Sequence, residues 1–263
     1  MSSTPLPTTG PTPTPFNRPS DARTLLLIAR RGALESLRDR MSLGFNLFFA
    51  LIFPIGMVVG VISRQVDTLV AGGRTDALGT ALAIYLLSIG LVPATGAVGV
   101  ASGQFAGEME KGNLAPLLAS PASNFAIFGG KILGSVLPAF LFSIVAEIVY
   151  LTSLAIVVGP DKLRLLPPGL SLALLALIPA VAIFAAGVAS LISSRVRTFN
   201  TAQQLGGLAL FPFWGGIFVL SLKLQDWGNL ALIAVILGLV LADILLITIA
   251  AATWRREEVL AQR

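Results

Sequence analysis

Residues 165–194 read LLPPGLSLALLALIPAVAIFAAGVASLISS, thirty positions without a charge. As a helix rising about 1.5 Å per residue, this stretch is about 45 Å long, more than the roughly 30 Å hydrocarbon core of a bilayer. A soluble helix of that length keeps a charged face, and this one has none. The same test applied outward finds residues 41–63, 77–107 and 198–222 equally free of charge. Two more stretches carry one acid each: Glu147 within residues 132–160 and Asp243 within residues 227–254. The sequence therefore predicts an all-α membrane protein, a bundle of six transmembrane helices at about 41–63, 77–103, 124–159, 168–193, 199–221 and 228–253.

Composition agrees. Of 263 residues, 55% are hydrophobic and 12% charged, with a mean hydropathy of +0.87. A soluble domain is roughly one quarter charged, so a soluble enzyme, a disordered chain and a nucleic-acid-binding module are set aside. With no Cys and no His, disulfides, zinc–thiolate sites, imidazole bases and Ser/His triads are excluded. The charge balance is +5, and its placement decides its meaning. With the N-terminus inside, Arg18, Arg23, Arg30, Arg31, Arg38, Arg40, Lys111, Lys131, Arg195, Arg197, Arg255, Arg256 and Arg263 are cytosolic. Arg64, Arg74, Lys162, Arg164 and Lys223 are outside. Basic residues collect on the cytosolic side. Both termini are thus expected in the cytosol of a multi-pass plasma (inner) membrane protein, with the positive charge facing lipid headgroups rather than nucleic acid.

Three parts are expected. Residues 1–20 contain six Pro and eight Ser or Thr. They lack the apolar core of a signal peptide and cannot bury enough surface to order themselves. They read as a disordered cytosolic tail, with a PxxP-type ligand role as an alternative. Residues 21–258 form the six-span domain, and 259–263 a short cytosolic tail. Within 21–40, Leu26, Ala33, Leu34, Leu37 and Met41 fall in one helical arc, with Arg31, Glu35 and Arg38 opposite. This predicts an amphipathic interfacial helix, the alternative being a cytosolic extension of the first span. Arg30 falls in the apolar arc, from which its long stem can snorkel to the headgroups. The outer loops are read as short: about a dozen residues after the first span and fewer after the third and fifth.

Five spans hold an internal proline: Pro54, Pro93, Pro138, Pro179 and Pro212. Each removes a backbone donor, which favours bent helices. Small-xxx-small spacings at Gly56/Gly60, Gly99/Gly103/Gly107 and Gly130/Gly134 allow close helix approach. Glu147 and Asp243 are the acids deep in the spans. A charge there costs about 2.5–3.5 kcal/mol on insertion scales, so they face the interior, are protonated, or pair. An ion-coupled secondary transporter using both acids is one alternative reading, although matching broken half-helices are absent from the pattern.

The longest inner connection runs Gln104-Phe-Ala-Gly-Glu-Met-Glu-Lys-Gly-Asn-Leu-Ala-Pro-Leu-Leu-Ala-Ser-Pro-Ala-Ser-Asn124. Glu108, Glu110 and Lys111 open it, and Gly112-Asn113 is a turn signal. Leu114, Leu117 and Leu118 follow at helical spacing. Ser120-Pro121 reads as an N-cap with proline at the first helical position. A plain connector needs only a few residues. A leucine face here calls either for a partner to cover it or for the bilayer surface.

The pattern Glu108-x-Glu110-x-Gly112-x-Leu114-x-x-Leu117-Leu118-x-Ser120-Pro121, with Lys131 ten residues on, resembles the signature loop of ABC transporter permeases of the type-2 exporter class. The run Glu35–Arg40 ahead of the first span is similar too, and so are the six-span plan and the inside termini. The resemblance covers about residues 21–258. It implies that the loop is a coupling helix docked on a separate ABC ATPase subunit. Glu108 and Glu110 are then polar contacts at the ATPase, Gly112 the break, and Leu114, Leu117 and Leu118 the docking face. Pro121 starts the third span, and Lys131 lies near the inner headgroups. Asn113 stands where the pattern usually has Thr, Pro116 lies inside the leucine helix, and no large outer domain follows span one. A cytochrome-biogenesis permease shares the loop pattern and is the alternative within the class.

No Gly-x4-Gly-Lys-[Ser/Thr] loop is present; Gly130-Lys131 lacks both the earlier glycine and the following hydroxyl. This chain is expected to carry no cofactor and no catalytic or metal site, with ATP and Mg held by the partner ATPase. An intramembrane enzyme would need a nucleophile or metal cluster that lone span serines do not supply. A second permease copy or a sister permease is expected to complete the transport path.

Overall fold

The computed structural model of the chain describes residues 20–112 and 120–254, and every regular element among them is helical. Five helices among the described residues are long and apolar enough to cross a membrane: Ser42–Ala71, Ala77–Glu110, Asn124–Val157, Pro168–Ser193 and Leu232–Thr253. The elements are α1 (Asp21–Arg38), α2 (Arg40–Leu47), α3 (Phe53–Met57), α4 (Ser63–Ala71), α5 (Thr75–Ala94), α6 (Gly96–Ser102), α7 (Glu108–Glu110), α8 (Asn124–Val157), α9 (Pro160–Leu163), α10 (Pro168–Ser193) and α11 (Phe199–Thr253). Three π-helical turns interrupt them: π1 (Phe48–Ile52), π2 (Val58–Ile62) and π3 (Gly103–Gly107).

The first crossing departs from expectation in length. Helix continues past Ser63 to Ala71, so the connection that follows is only 72–74. Arg64, Gln65 and Asp67 are polar but good enough helix formers, and a charge at the membrane surface does not end a helix. Pro54 is accommodated by π1 and π2 on either side: Phe53 N–H bonds the Phe48 carbonyl and Ser63 N–H the Val58 carbonyl. A wider turn gives room where proline withholds a donor and crowds the preceding carbonyl. Pro93 sits next to the break at Thr95 between α5 and α6, whereas Pro138, Pro179 and Pro212 lie inside uninterrupted helices.

α8 and α10 form the centre. The main core packs Ala83, Leu87 and Leu91 of α5, Ile132 and Val136 of α8, and Leu174, Leu177, Ile178 and Val181 of α10. A second core joins the first crossing to the first half of α5 and the second half of α8, where Tyr150 is fully buried and donates to the Leu82 carbonyl at 3.0 Å. A third, at the end rich in basic residues, holds Phe105, Phe128 and Trp254 with ring centroids 4.5–5.6 Å apart.

α1 lies against the first half of α8. Leu25, Ile28, Ala29 and Gly32 meet Gly129, Gly130 and Gly134. Leu26 and Leu34 of the apolar arc are exposed on the side away from α8, where an interfacial helix turns its leucines to lipid. The glycine surface of α8 admits the backbone of α1.

α11 runs 55 residues without a loop, so the expected connection at 222–227 is helical. A straight helix of that length would be about 80 Å long. The contacts rule out a straight rod. A Cβ at Gly206 would lie 3.5 Å from the Ala189 Cβ, and a Cβ at Gly187 2.6 Å from Leu246 Cδ2. Residues 187 and 189 are neighbours on α10, yet 206 and 246 are forty residues apart, about 60 Å on a straight helix. α11 therefore doubles back, and its two limbs flank α10 on opposite faces. Trp214 and Leu232 both pack on the main core, so the bend lies between them.

Candidate functional site: a coupling end beneath a cavity

The helix ends around the 113–119 stretch are tied to one another. The Lys131 side chain, 3% exposed, bonds the Glu108 carboxylate at 2.6 Å and also the Gln104 carbonyl. Its ammonium lies 4.6 Å from the centroid of the Phe105 ring. Burial of a lone ammonium is costly, and this one is offset by an ion pair, a carbonyl and a ring face. Glu110 Oε2 accepts from the Phe199 N–H at 3.1 Å. That places an acid on the first turn of α11, where free N–H groups and the helix dipole favour negative charge. Gly112 has φ 71°, a conformation glycine adopts without strain, and its N–H bonds the Met109 carbonyl at 3.1 Å.

Glu108 and Glu110 are engaged inside the chain, on Lys131 and on α11. Lys131 is buried rather than set among headgroups. α8 starts at Asn124 with Ser123 as its cap, the Ser123 hydroxyl accepting from Ala126 N–H at 3.1 Å. Pro121 lies three residues before the helix instead of opening it. Two serines precede α8, and the nearer one has the extended backbone a cap needs. Leu114, Leu117 and Leu118 lie outside the described residues.

Above this end lies a cavity of about 1490 Å³. At the basic end it is lined by Arg31, Glu35, Asp39, Glu108, Lys111 and Lys131, in the middle by Asn46, Thr95 and Gln203, and furthest in by Leu91, Val181 and Trp214. Gly96, Gly99, Gly103 and Gly107 give it one wall of bare backbone. Asn46 is buried; its amide nitrogen donates to the Ser42 carbonyl at 2.8 Å, while Oδ1 faces Gly96 without a hydrogen-bond partner among the described residues. The cavity is thus charged of both signs at one end and apolar at the other.

Glu147 and Asp243 do not line it. Glu147 Oε1 sits directly against Gly90 and beside Ile178 of α10, and Asp243 is 6% exposed on the second limb of α11. Each keeps one buried carboxylate oxygen without a hydrogen-bond partner among the described residues. No ion pair joins them to a base there.

The sequence profile of the ABC-2 type transporter family matches residues 23–231. The chain belongs to that family. It is a multi-pass membrane permease component of an ABC transporter, and the part of such a machine that carries transport rather than catalysis. Members of the family work in general with an ABC ATPase. No curated protein matches the chain. The ABC-2 match takes in α1, the tied end, the cavity wall and the first limb of α11, and stops just before Leu232. Sequence reasoning missed three participants of this ABC-2 permease: Asn46, the Phe199 amide, and Ser193, whose hydroxyl bonds the Ala106 N–H and the Ser102 carbonyl. A serine near a helix end and a backbone N–H carry no spacing signal. Asn46 is a single amide in a charge-free run, with no pattern around it.

Proposed function

We propose that this permease is the membrane half of an ATP-driven exporter of amphiphilic cargo, such as a lipid, a drug or a lipid-linked saccharide. It crosses the plasma membrane six times, the two limbs of α11 being the fifth and sixth spans, with both termini in the cytosol. It works as a dimer with a second copy or a sister permease. A separate ABC ATPase, holding ATP and Mg, docks on the 113–119 stretch through Leu114, Leu117 and Leu118. Closure of the ATPase pair moves that stretch, and the helices reorient the cavity toward the outside.

The observation that supports this reading best is the anchoring of both flanks of the docking stretch. Glu108 and Glu110 hold the end of one span to α8 and to α11, so a push at the loop reaches three spans together. The cavity supports the cargo class: a polar head fits the charged end, and an apolar tail fits the region of Leu91, Val181 and Trp214. Glu147 and Asp243 lie away from the cavity, which weighs against ion coupling.

The test is co-expression with a cognate ABC ATPase, purification of the complex and reconstitution in vesicles. Docking predicts co-purification and ATP-dependent lipid-probe movement, both lost in Leu117→Asp. Uphill movement by this chain alone, or an undiminished complex in Leu117→Asp, sinks the proposal.

A further inference from the structure

π3 is held open by its neighbours. In an α-helix the Ser102 carbonyl and the Ala106 N–H, four residues apart, bond each other. Here the hydroxyl of Ser193, from α10, stands between them. It accepts from Ala106 N–H at 2.9 Å and donates to the Ser102 carbonyl at 2.6 Å. Ser102 and Ser193 are fully buried, so no bulk water competes for either bond. One turn further on, Lys131 of α8 bonds the Gln104 carbonyl and the Glu108 carboxylate, and Glu110 receives the Phe199 N–H of α11. Side chains or amides of three different helices thus grip one short stretch of 102–110.

We infer that Ser193 is a positioning residue for coupling, a hydroxyl wedge that holds the inner end of the second span in a π turn, and that the power stroke ejects it so that the turn closes to α. The inference rests on the permease reading above. Closing the turn takes the extra residue of the π bulge into the α register, which rotates everything beyond it by about 100° and advances it by about 1.5 Å. Glu108 and Glu110 lie beyond it. The same rotation breaks the Lys131 and Phe199 contacts, so the wedge and the two acid ties release as one unit. The α register is available because the two groups that Ser193 separates are each other's α-helical partners. Single π turns recur at functional sites for this reason.

The experiment uses the full chain, whose lack of cysteine permits clean labelling. Spin labels are placed at Arg38→Cys, on exposed α1, and at Lys111→Cys, just past the turn. The protein is held in nanodiscs of phosphatidylcholine and phosphatidylglycerol. A rotation of 100° at a helix radius of about 5 Å moves a side-chain tip by about 8 Å. Ser193→Ala is expected to shift the label distance by that order, or to add a second population. Ser190→Ala, at a serine equally buried on α10 whose hydroxyl has no hydrogen-bond partner among the described residues, is expected to leave it unchanged. In complex with the ATPase, ATP and vanadate are expected to bring the unsubstituted turn to the Ser193→Ala distance. Identical distances in Ser193→Ala and the parent overturn the wedge. A complex that hydrolyses ATP with no shift in the parent overturns its part in coupling, and this arm does not depend on any variant folding. Failure to bind any ATPase refutes the permease reading, while the Ser193→Ala comparison still judges the wedge.

Discussion

Two crossings use glycine at the same spacing to opposite effect. Gly130 and Gly134 of α8 lie under α1, where an added Cβ at Gly130 would sit 2.8 Å from the Leu25 carbonyl oxygen and from Ile28 Cβ. Gly56 and Gly60 of the first crossing have nothing within 4 Å of the same position. That crossing also exposes Phe48, Ile52, Ile55 and Val59. The α1–α8 end is fastened by backbone contact and buried charge; the first crossing rests on the bundle along one face only. A four-residue glycine spacing gives permission for close approach, and only a partner helix of small residues turns it into contact.

The sharpest way to break this contrast is at Lys131. Replacing it with Met leaves Glu108, whose side chain is a third exposed, without its cation. Loss of one member of a buried pair costs about 3–5 kcal/mol, and the lower end is expected because water reaches Glu108. Thermal unfolding in detergent measures it, and the double variant Lys131→Met/Glu108→Gln is expected to recover most of the loss. A double variant as unstable as the single one would show that the charge pair is not what fastens this end. Next comes Gly130→Ala, where the added methyl forces α1 away from α8. Overpacking of this kind costs about 1–3 kcal/mol, readable as a lower Tm. An unchanged Tm would dissolve the contrast between the two glycine pairs.

Tyr150→Phe tests the far side of the bundle. It removes one hydrogen bond to the Leu82 carbonyl, worth about 0.5–1.5 kcal/mol, and amide exchange in the first half of α5 no faster than in the parent would contradict it. Smallest of all, Gly60→Ala meets open space and replaces glycine within a helix. An effect near zero, or a gain of up to about 1 kcal/mol, is expected in the Tm of the isolated chain. A loss larger than that would show that another surface packs there.

Much of this fold was legible because membranes make a simple demand. The helix Pro168–Ser193 lies within the charge-free run 165–194, where prolines precede it and Arg195 follows it. The cap of α8 is Ser123 rather than Ser120, because two serines look alike without backbone angles. The overlong first crossing escaped because charge was taken to end a helix, whereas polar residues only end its contact with hydrocarbon. The contact of α1 with α8 through Ala29 and Gly32 has no signal of its own. A hydrophobic arc marks Leu26 and Leu34, the residues an interfacial helix turns to lipid, and says nothing of the small residues that meet a neighbouring helix. At the site, Glu108 and Lys131 were singled out separately. Their pairing across 23 positions depends on how the second and third spans lean together, which no local pattern records.

Trp254 closes the described chain with its ring edge-on to both Phe105 and Phe128, which stack on each other, at the level where Lys131 is buried. Few places in the molecule are so well suited to report on themselves. With Trp214 and Trp227 changed to Phe, the remaining indole becomes an intrinsic fluorophore whose emission colour and lifetime follow the spacing of the two phenyl rings, so that the working of this end can be watched by light without attaching any dye.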